Sequence, residues 1–158
     1  MLQALKRRTL LQAGGAVALT GLAQSRSEAQ AAAPSVKIAA LKDVRPGEPV
    51  NFSYPGEQPA VLIDVGHKVE HGVGPHESVV AYSALCQHMG CPVGYDAQNG
   101  NLKCPCHGSQ FDPRRDGMAV RGPAPQGLPR IALKVSGDGS IHAVGIAEGI
   151  VYGYACSR

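Results

Sequence analysis

From Val36 onward the apolar positions come in short runs cut by Gly, Pro, Asn and Asp, which predicts strands and turns rather than helices. Val36–Ala40, Pro49–Tyr54 and Ala60–Val65 read as the first three strands, parted by Arg45-Pro46-Gly47 and Tyr54-Pro55-Gly56 turns. Ser78–Leu85 is rich in β-branched and apolar residues. Asn99-Gly100-Asn101 signals a hairpin between Tyr95 and Lys103. Ile131, Leu133 and Val135 alternate along Arg130–Ser136, and Gly137-Asp138-Gly139 turns the chain into Ser140–Val144. Ile150–Tyr154 is expected to be a last strand, and the polar, Gly-rich stretch Val65–Pro75 a loop. The predicted class is all-β, an antiparallel sandwich or barrel, with a smaller unit inserted from about residue 85 to 111.

Composition supports this. The 158 residues include 20 Gly and 12 Pro but no Trp and only two Phe, so the core must rest on Val, Ile, Leu, Ala and Tyr. The net charge of +3 belongs to the N-terminus: Lys6, Arg7, Arg8 and Arg26 stand against Glu28, and the rest of the chain is balanced. No basic stripe is left to suggest a nucleic-acid partner. Residues 1–31 carry a paired Arg7-Arg8, a short apolar stretch from Leu10 to Ala23, and small residues around Ala29 and Ala31. That combination predicts a twin-arginine export signal with a single domain over 32–158. Leu10–Ala23 is short for a membrane span, which needs about 20 apolar residues. The expected location is therefore the periplasm, reached in the folded state, with membrane attachment only if the leader is an uncleaved anchor.

The chemistry is concentrated in two boxes, Cys86-Gln87-His88-Met89-Gly90-Cys91 and Cys104-Pro105-Cys106-His107-Gly108-Ser109, which hold four of the five cysteines. Two loops that each offer thiolate and imidazole suit either zinc or an iron–sulfur cluster. His67, His71 and His76 share a polar loop and read as solvated side chains. His142 falls in a strand, Arg114-Arg115 in a turn, and Cys156 is the odd cysteine.

The boxes resemble the signature of the Rieske [2Fe–2S] family. The resemblance implies one cluster per chain, with Cys86 and Cys104 on one iron and His88 and His107 on the other. It also implies a Cys91–Cys106 disulfide, which needs the oxidising compartment that export supplies. Gly122-Pro123-Ala124-Pro125 is similar to the loop that covers the cluster in that family. Two neutral imidazoles in place of thiolates imply a potential of roughly −150 to +300 mV. Ser109 matches the serine that donates to a cluster sulfur. Phe111 stands where high-potential members have a Tyr whose hydroxyl bonds a ligand sulfur, which implies a potential below the family maximum. Met89 is expected either to cap the cluster or to serve as a core residue.

Flanking segments, among them Val50-Asn51-Phe52-Ser53-Tyr54-Pro55, Gly72-Val73-Gly74-Pro75 and Glu148-Gly149-Ile150-Val151-Tyr152-Gly153, are similar to the small subunit of arsenite oxidase. That implies an electron relay with no substrate site of its own. Its partners would be a large subunit carrying a molybdenum–pterin centre and a soluble cytochrome c or small copper protein, with His88 facing the large subunit. The other readings are the Rieske subunit of a quinol–cytochrome c complex, a free-standing Rieske ferredoxin, and a zinc-stabilised interaction module without redox function.

Overall fold

The computed structural model describes residues 34–153. The leader 1–31 and Cys156 lie outside the described residues. Among the described residues no helix is long and apolar enough to cross a membrane.

Ten strands form two antiparallel sheets. In chain order they are β1 (Val36–Ala40), β2 (Val50–Ser53), β3 (Pro59–Asp64), β4 (Val79–Ser83), β5 (Gly94–Asp96), β6 (Asn101–Lys103), β7 (Gln110–Asp112), β8 (Met118–Arg121), β9 (Arg130–Val135) and β10 (Ser140–Glu148). The larger sheet runs β1-β10-β9-β4-β3-β2 and the smaller β5-β6-β7-β8. The larger sheet is nearly closed on itself. β4 meets β9 at the single pair Tyr82–Arg130, while β3 and β4 pair along five residues.

β3 and β4 form the middle of the molecule, and their pattern shows why they read as unbroken apolar runs. Ala60 and Leu62 of β3, with Val79 and Ala81 of β4, face Ile131, Ile141 and Ala143 inside the larger sheet. Val61, Ile63, Val80 and Tyr82 point the other way and pack against Leu102 and Phe111 of the smaller sheet. A strand buried on both faces has no polar face to show.

The smaller sheet is tied to this middle layer by polar contacts as well. The buried Tyr82 hydroxyl donates to the Pro113 carbonyl at 3.0 Å, and burial pushes the Tyr82 phenol up, with the Asp116 carboxylate adding to the rise. Arg130 Nε meets Asp116 Oδ1 at 2.7 Å. Arg114 donates to Asp112 Oδ1 and to Asn101 Oδ1, so it braces β6 against the 3-10 turn Pro113–Arg115 rather than lying free in solvent.

The expected strand at Ile150–Tyr154 is absent among the described residues. β10 lies between β1 and β9, and its last partner is Arg130, the first residue of β9, opposite Glu148. Beyond that point no ladder remains. Val151 is nonetheless buried, while Ile150 and Tyr152 on either side are exposed. β7 and β8 carry the smaller sheet on past Phe111 to Arg121, and strands of three and four residues with mixed polarity gave no periodicity by which to find them.

Candidate metal centre

The two boxes are copies of one six-residue turn. In the first, the Cys86 amide donates to the Cys91 carbonyl at 2.9 Å and the Gly90 amide to the Cys86 carbonyl at 2.8 Å. In the second, the Cys104 amide donates to the Ser109 carbonyl at 2.8 Å and the Gly108 amide to the Cys104 carbonyl at 3.1 Å. Each turn has Cys at its first position and Gly at its fifth. Gly90 and Gly108 have φ of +73° and +75°, a backbone that L side chains rarely adopt. A side chain at Gly90 would also strike the Tyr152 ring, 2.4 Å from the Cβ position.

The shared frame puts Cys86 and Cys104 in equivalent places, and both thiols are buried. Burial pushes the Cys86 thiol up. The His88 amide and the Ser109 hydroxyl, both hydrogen-bonded to its sulfur, pull the other way, and the neighbouring Cys104 thiol adds to the rise. Two donors are thus already aimed at a sulfur that would carry negative charge once bound to a metal.

The histidines take different positions in the two turns, third in the first box and fourth in the second, yet their rings converge. His88 Nδ1 and His107 Nδ1 are 3.3 Å apart and the rings meet edge to face. His88 is half-buried and His107 is exposed. Two paired sulfurs below and two facing imidazole nitrogens above form a donor set with a buried and an exposed side. That fits a two-metal cluster with a thiolate end and an imidazole end.

Cys91 and Cys106 are joined by a disulfide across the two turns. The loop Gly122–Pro125 lies on the second box: a Cβ at Gly122 would come within 2.5 Å of Ser109 Cα. The Ala124 amide donates to Ser109 Oγ at 3.2 Å. A continuous hydrogen-bonded path therefore runs from this loop through Ser109 to the Cys86 sulfur.

Sequence reasoning missed a second tie. Gln126 Nε2 donates to Gln87 Oε1 at 3.0 Å, and Gln87 is buried and donates to the Leu85 carbonyl. The glutamine inside the first box was the available signal, because a buried amide needs partners. Phe111 is fully buried in the core that contains Cys86 and Cys104. Met89 is 60% exposed, so it is not a core residue. His67, His71 and His76 do not come together as a metal-binding group among the described residues.

A family model described as the Rieske [2Fe–2S] domain matches residues 35–135. An iodate reductase subunit, IdrB, of Denitromonas iodatirespirans is 40% identical over 98% of the chain and 87% of its own length. The corresponding subunit of Pseudomonas sp. (strain SCT) is 36% identical over 94% of the chain and 82% of its length. The cytochrome bc1 complex Rieske iron–sulfur subunit of Streptomyces lividans is 41% identical, but over only 46% of the chain and 44% of its own length. Among solved structures, the soluble domain of the Rieske protein II (soxF) from Sulfolobus acidocaldarius has a TM-score of 0.62 at 26% identity, covering 74% of this chain and 82% of that one.

Proposed function

The chain belongs to the Rieske [2Fe–2S] family, and from that premise we propose that it is the electron-relay subunit of a two-subunit oxidoreductase whose large subunit carries a molybdopterin centre. Its cofactor is a [2Fe–2S] cluster. We assign Cys86 and Cys104 as the thiolate ligands and His88 and His107 as the imidazole ligands. Bound there, the cluster exchanges one electron at a potential of roughly −150 to +300 mV.

The observation that carries the relay reading is the exposure of the imidazole end. His107 opens to solvent while both thiols are buried, so the imidazole end is the shorter way for an electron to enter or leave. His107, more than the half-buried His88, is the port this geometry supports. The chain's own residues do the rest. Ser109 and the His88 amide hold hydrogens on the Cys86 sulfur, the Ala124 amide braces Ser109, and the Gln126–Gln87 bond ties the chain after the Gly122–Pro125 loop to the first box.

The surface formed by the segments at the cluster end carries no charged side chain of its own. Residues 86–92, 104–109, 122–129 and 149–153 contain no Asp, Glu, Lys or Arg. Met89 and Ile150 stand out of it, 60% and 72% exposed. Such a surface suits a standing subunit contact better than electrostatic steering of a soluble carrier.

Iodate is the better supported substrate of the complex, because two relatives that span almost the whole chain are iodate reductase subunits. Electrons would then run from a soluble cytochrome c or small copper protein through this chain into the large subunit. Arsenite is the second reading, supported by the flanking segments quoted above, with the flow reversed. The quinol–cytochrome c reading is weaker, since that relative matches less than half of the chain. The paired Arg7-Arg8 supports export in the folded state to the periplasm.

The test starts from the neighbouring reading frames, one of which should encode a molybdopterin-type large subunit, and co-expresses that subunit with the full chain. The purified complex should oxidise reduced cytochrome c when iodate is added. Cytochrome reduction on adding arsenite would select the second reading. If no large subunit co-purifies, the relay reading fails.

A further inference from the structure

Three sulfurs meet between the two turns. Cys104 Sγ and both sulfurs of the Cys91–Cys106 disulfide lie within 4.8 Å of one another. Cys104 is one of the two free cysteines among the described residues, and its backbone is pinned at both ends of its turn. A thiol within 4.8 Å of a disulfide is near enough for exchange after a small shift. Metal ligation would normally prevent it, because a bound thiolate has its nucleophilic pair engaged.

We propose that Cys104 attacks this disulfide whenever the cluster is absent. The chain therefore carries a built-in exchange that makes cluster loading and disulfide formation depend on their order. The Cys104 thiolate attacks Cys91 Sγ. A Cys104–Cys91 bond forms, the Cys91–Cys106 bond breaks, and Cys106 leaves as the thiolate, taking up the proton that Cys104 gave away. One disulfide is present before and after, so no oxidant or reductant enters. Attack on Cys106 Sγ is disfavoured, since only Pro105 separates it from Cys104 and a bond there would close a ring over a residue of fixed φ. Cys91 lies on the other turn, so the product ties the two turns together much as the original bond does. Cys106 is exposed, which leaves the released thiol in solvent.

Exchange removes one of the two sulfurs from the ligand set and blocks loading until it reverses. A chain that receives its cluster first is protected; a chain that closes its disulfide first is open to the trap. The protective half of this inference rests on the assignment of Cys104 as a ligand, whereas the exchange itself does not.

Two full-length variants separate the possibilities. Cys86→Ser removes an assigned ligand and leaves the nucleophile; Cys104→Ser removes both. Each is treated under native conditions with a maleimide, and the alkylated and crosslinked sites are located by fragmentation at the Cys104–Pro105 bond. Cys106 is expected to alkylate severalfold more in Cys86→Ser than in Cys104→Ser, together with a Cys91–Cys104 crosslinked peptide. The wild-type chain stripped of iron by a chelator, with circular dichroism to confirm that its sheets persist, is expected to give the same crosslink, and the iron-loaded chain only Cys91–Cys106. Equal blocking of Cys106 in both variants, with only Cys91–Cys106 in the stripped chain, overturns the proposal. A Cys104→Ser chain that still binds iron overturns the ligand assignment instead, and the labelling of Cys86→Ser then still decides the exchange.

Discussion

The six-stranded sheet has strands of four to nine residues, and its central pair is buried on both faces. The four-stranded sheet has strands of three or four residues and, of its own apolar side chains, buries fully only Leu102 and Phe111. The larger sheet is held by its own core. The smaller one leans on β3 and β4 and is stitched by the disulfide, the Tyr82 hydroxyl and the Asp116–Arg130 pair. The unit that does the chemistry is thus the one least able to stand alone, and its stability and its metal should be the same quantity.

The largest test of that contrast is removal of the metal. Amides of 94–121 are expected to lose most of their protection from hydrogen exchange on chelation, while those of 60–64 and 79–83 keep theirs. Uniform loss would show that the two sheets are one cooperative unit. A pair of truncations asks the same question through packing. Leu62→Ala and Leu102→Ala each remove a fully buried leucine, at about 2–5 kcal/mol. Leu62→Ala should lower the unfolding midpoint of the whole chain. Leu102→Ala should instead speed loss of the visible cluster spectrum and leave the larger sheet's midpoint nearly unchanged.

Breaking the crosslink sharpens the contrast. The disulfide closes a loop of 15 residues, worth about 3 kcal/mol in the unfolded chain. The double variant Cys91→Ala, Cys106→Ala should still take up a cluster but release it faster in denaturant, with the difference confined to the smaller sheet. An unchanged release rate would mean that the ligands and the Gly122–Pro125 loop hold the turns without it.

How much of this was legible in the chain differs between the two sheets for a physical reason. β3, β4, β9 and β10 announce themselves because long strands in a real core show their burial as pattern, while β1 and β2 are found from the Pro-Gly turns that bound them, and the predicted Val36–Ala40 coincides with β1. β7 and β8 are too short to show a period, and their stability comes from β4 across the interface. At the metal centre, residue types and spacing identify the boxes. The repeated turn geometry, the Gln126–Gln87 bond and the greater exposure of His107 depend on how distant segments meet, which spacing does not encode.

Phe111 tests how far the core reaches into the chemistry. It is buried with Cys86 and Cys104 and offers no hydroxyl. In Phe111→Tyr, a new hydrogen bond to a ligand sulfur worth about 1 kcal/mol more to the reduced state would raise the potential by about 40 mV. Ser109→Ala should move it by a similar amount the other way, since Ser109 already donates to the Cys86 sulfur. A redox titration of both variants decides. If neither moves the potential, these side chains matter only for packing.

The smallest effect belongs to the far end of the larger sheet. Asp138, in the turn between β9 and β10, accepts the Ser140 amide at 3.0 Å and the Ser140 hydroxyl at 2.8 Å, and these bonds hold its carboxyl below the usual range. A depressed carboxyl contributes stability that is fully present above its unfolded pKa, about 3.9, and is lost as pH falls through the lower folded value. The side chain is fully exposed, so the contribution is small and local. Asp138→Asn should flatten the acid limb of hydrogen exchange at Ser140 below about pH 4 and leave the cluster spectrum over the same range untouched. The cluster end has no carboxylate in its four segments, so any acid response there must come from other groups. If the spectrum of the variant shifted together with the turn, the two ends of the molecule would be coupled through β9 and β10, and the division between a self-supporting sheet and a dependent one would have to be abandoned.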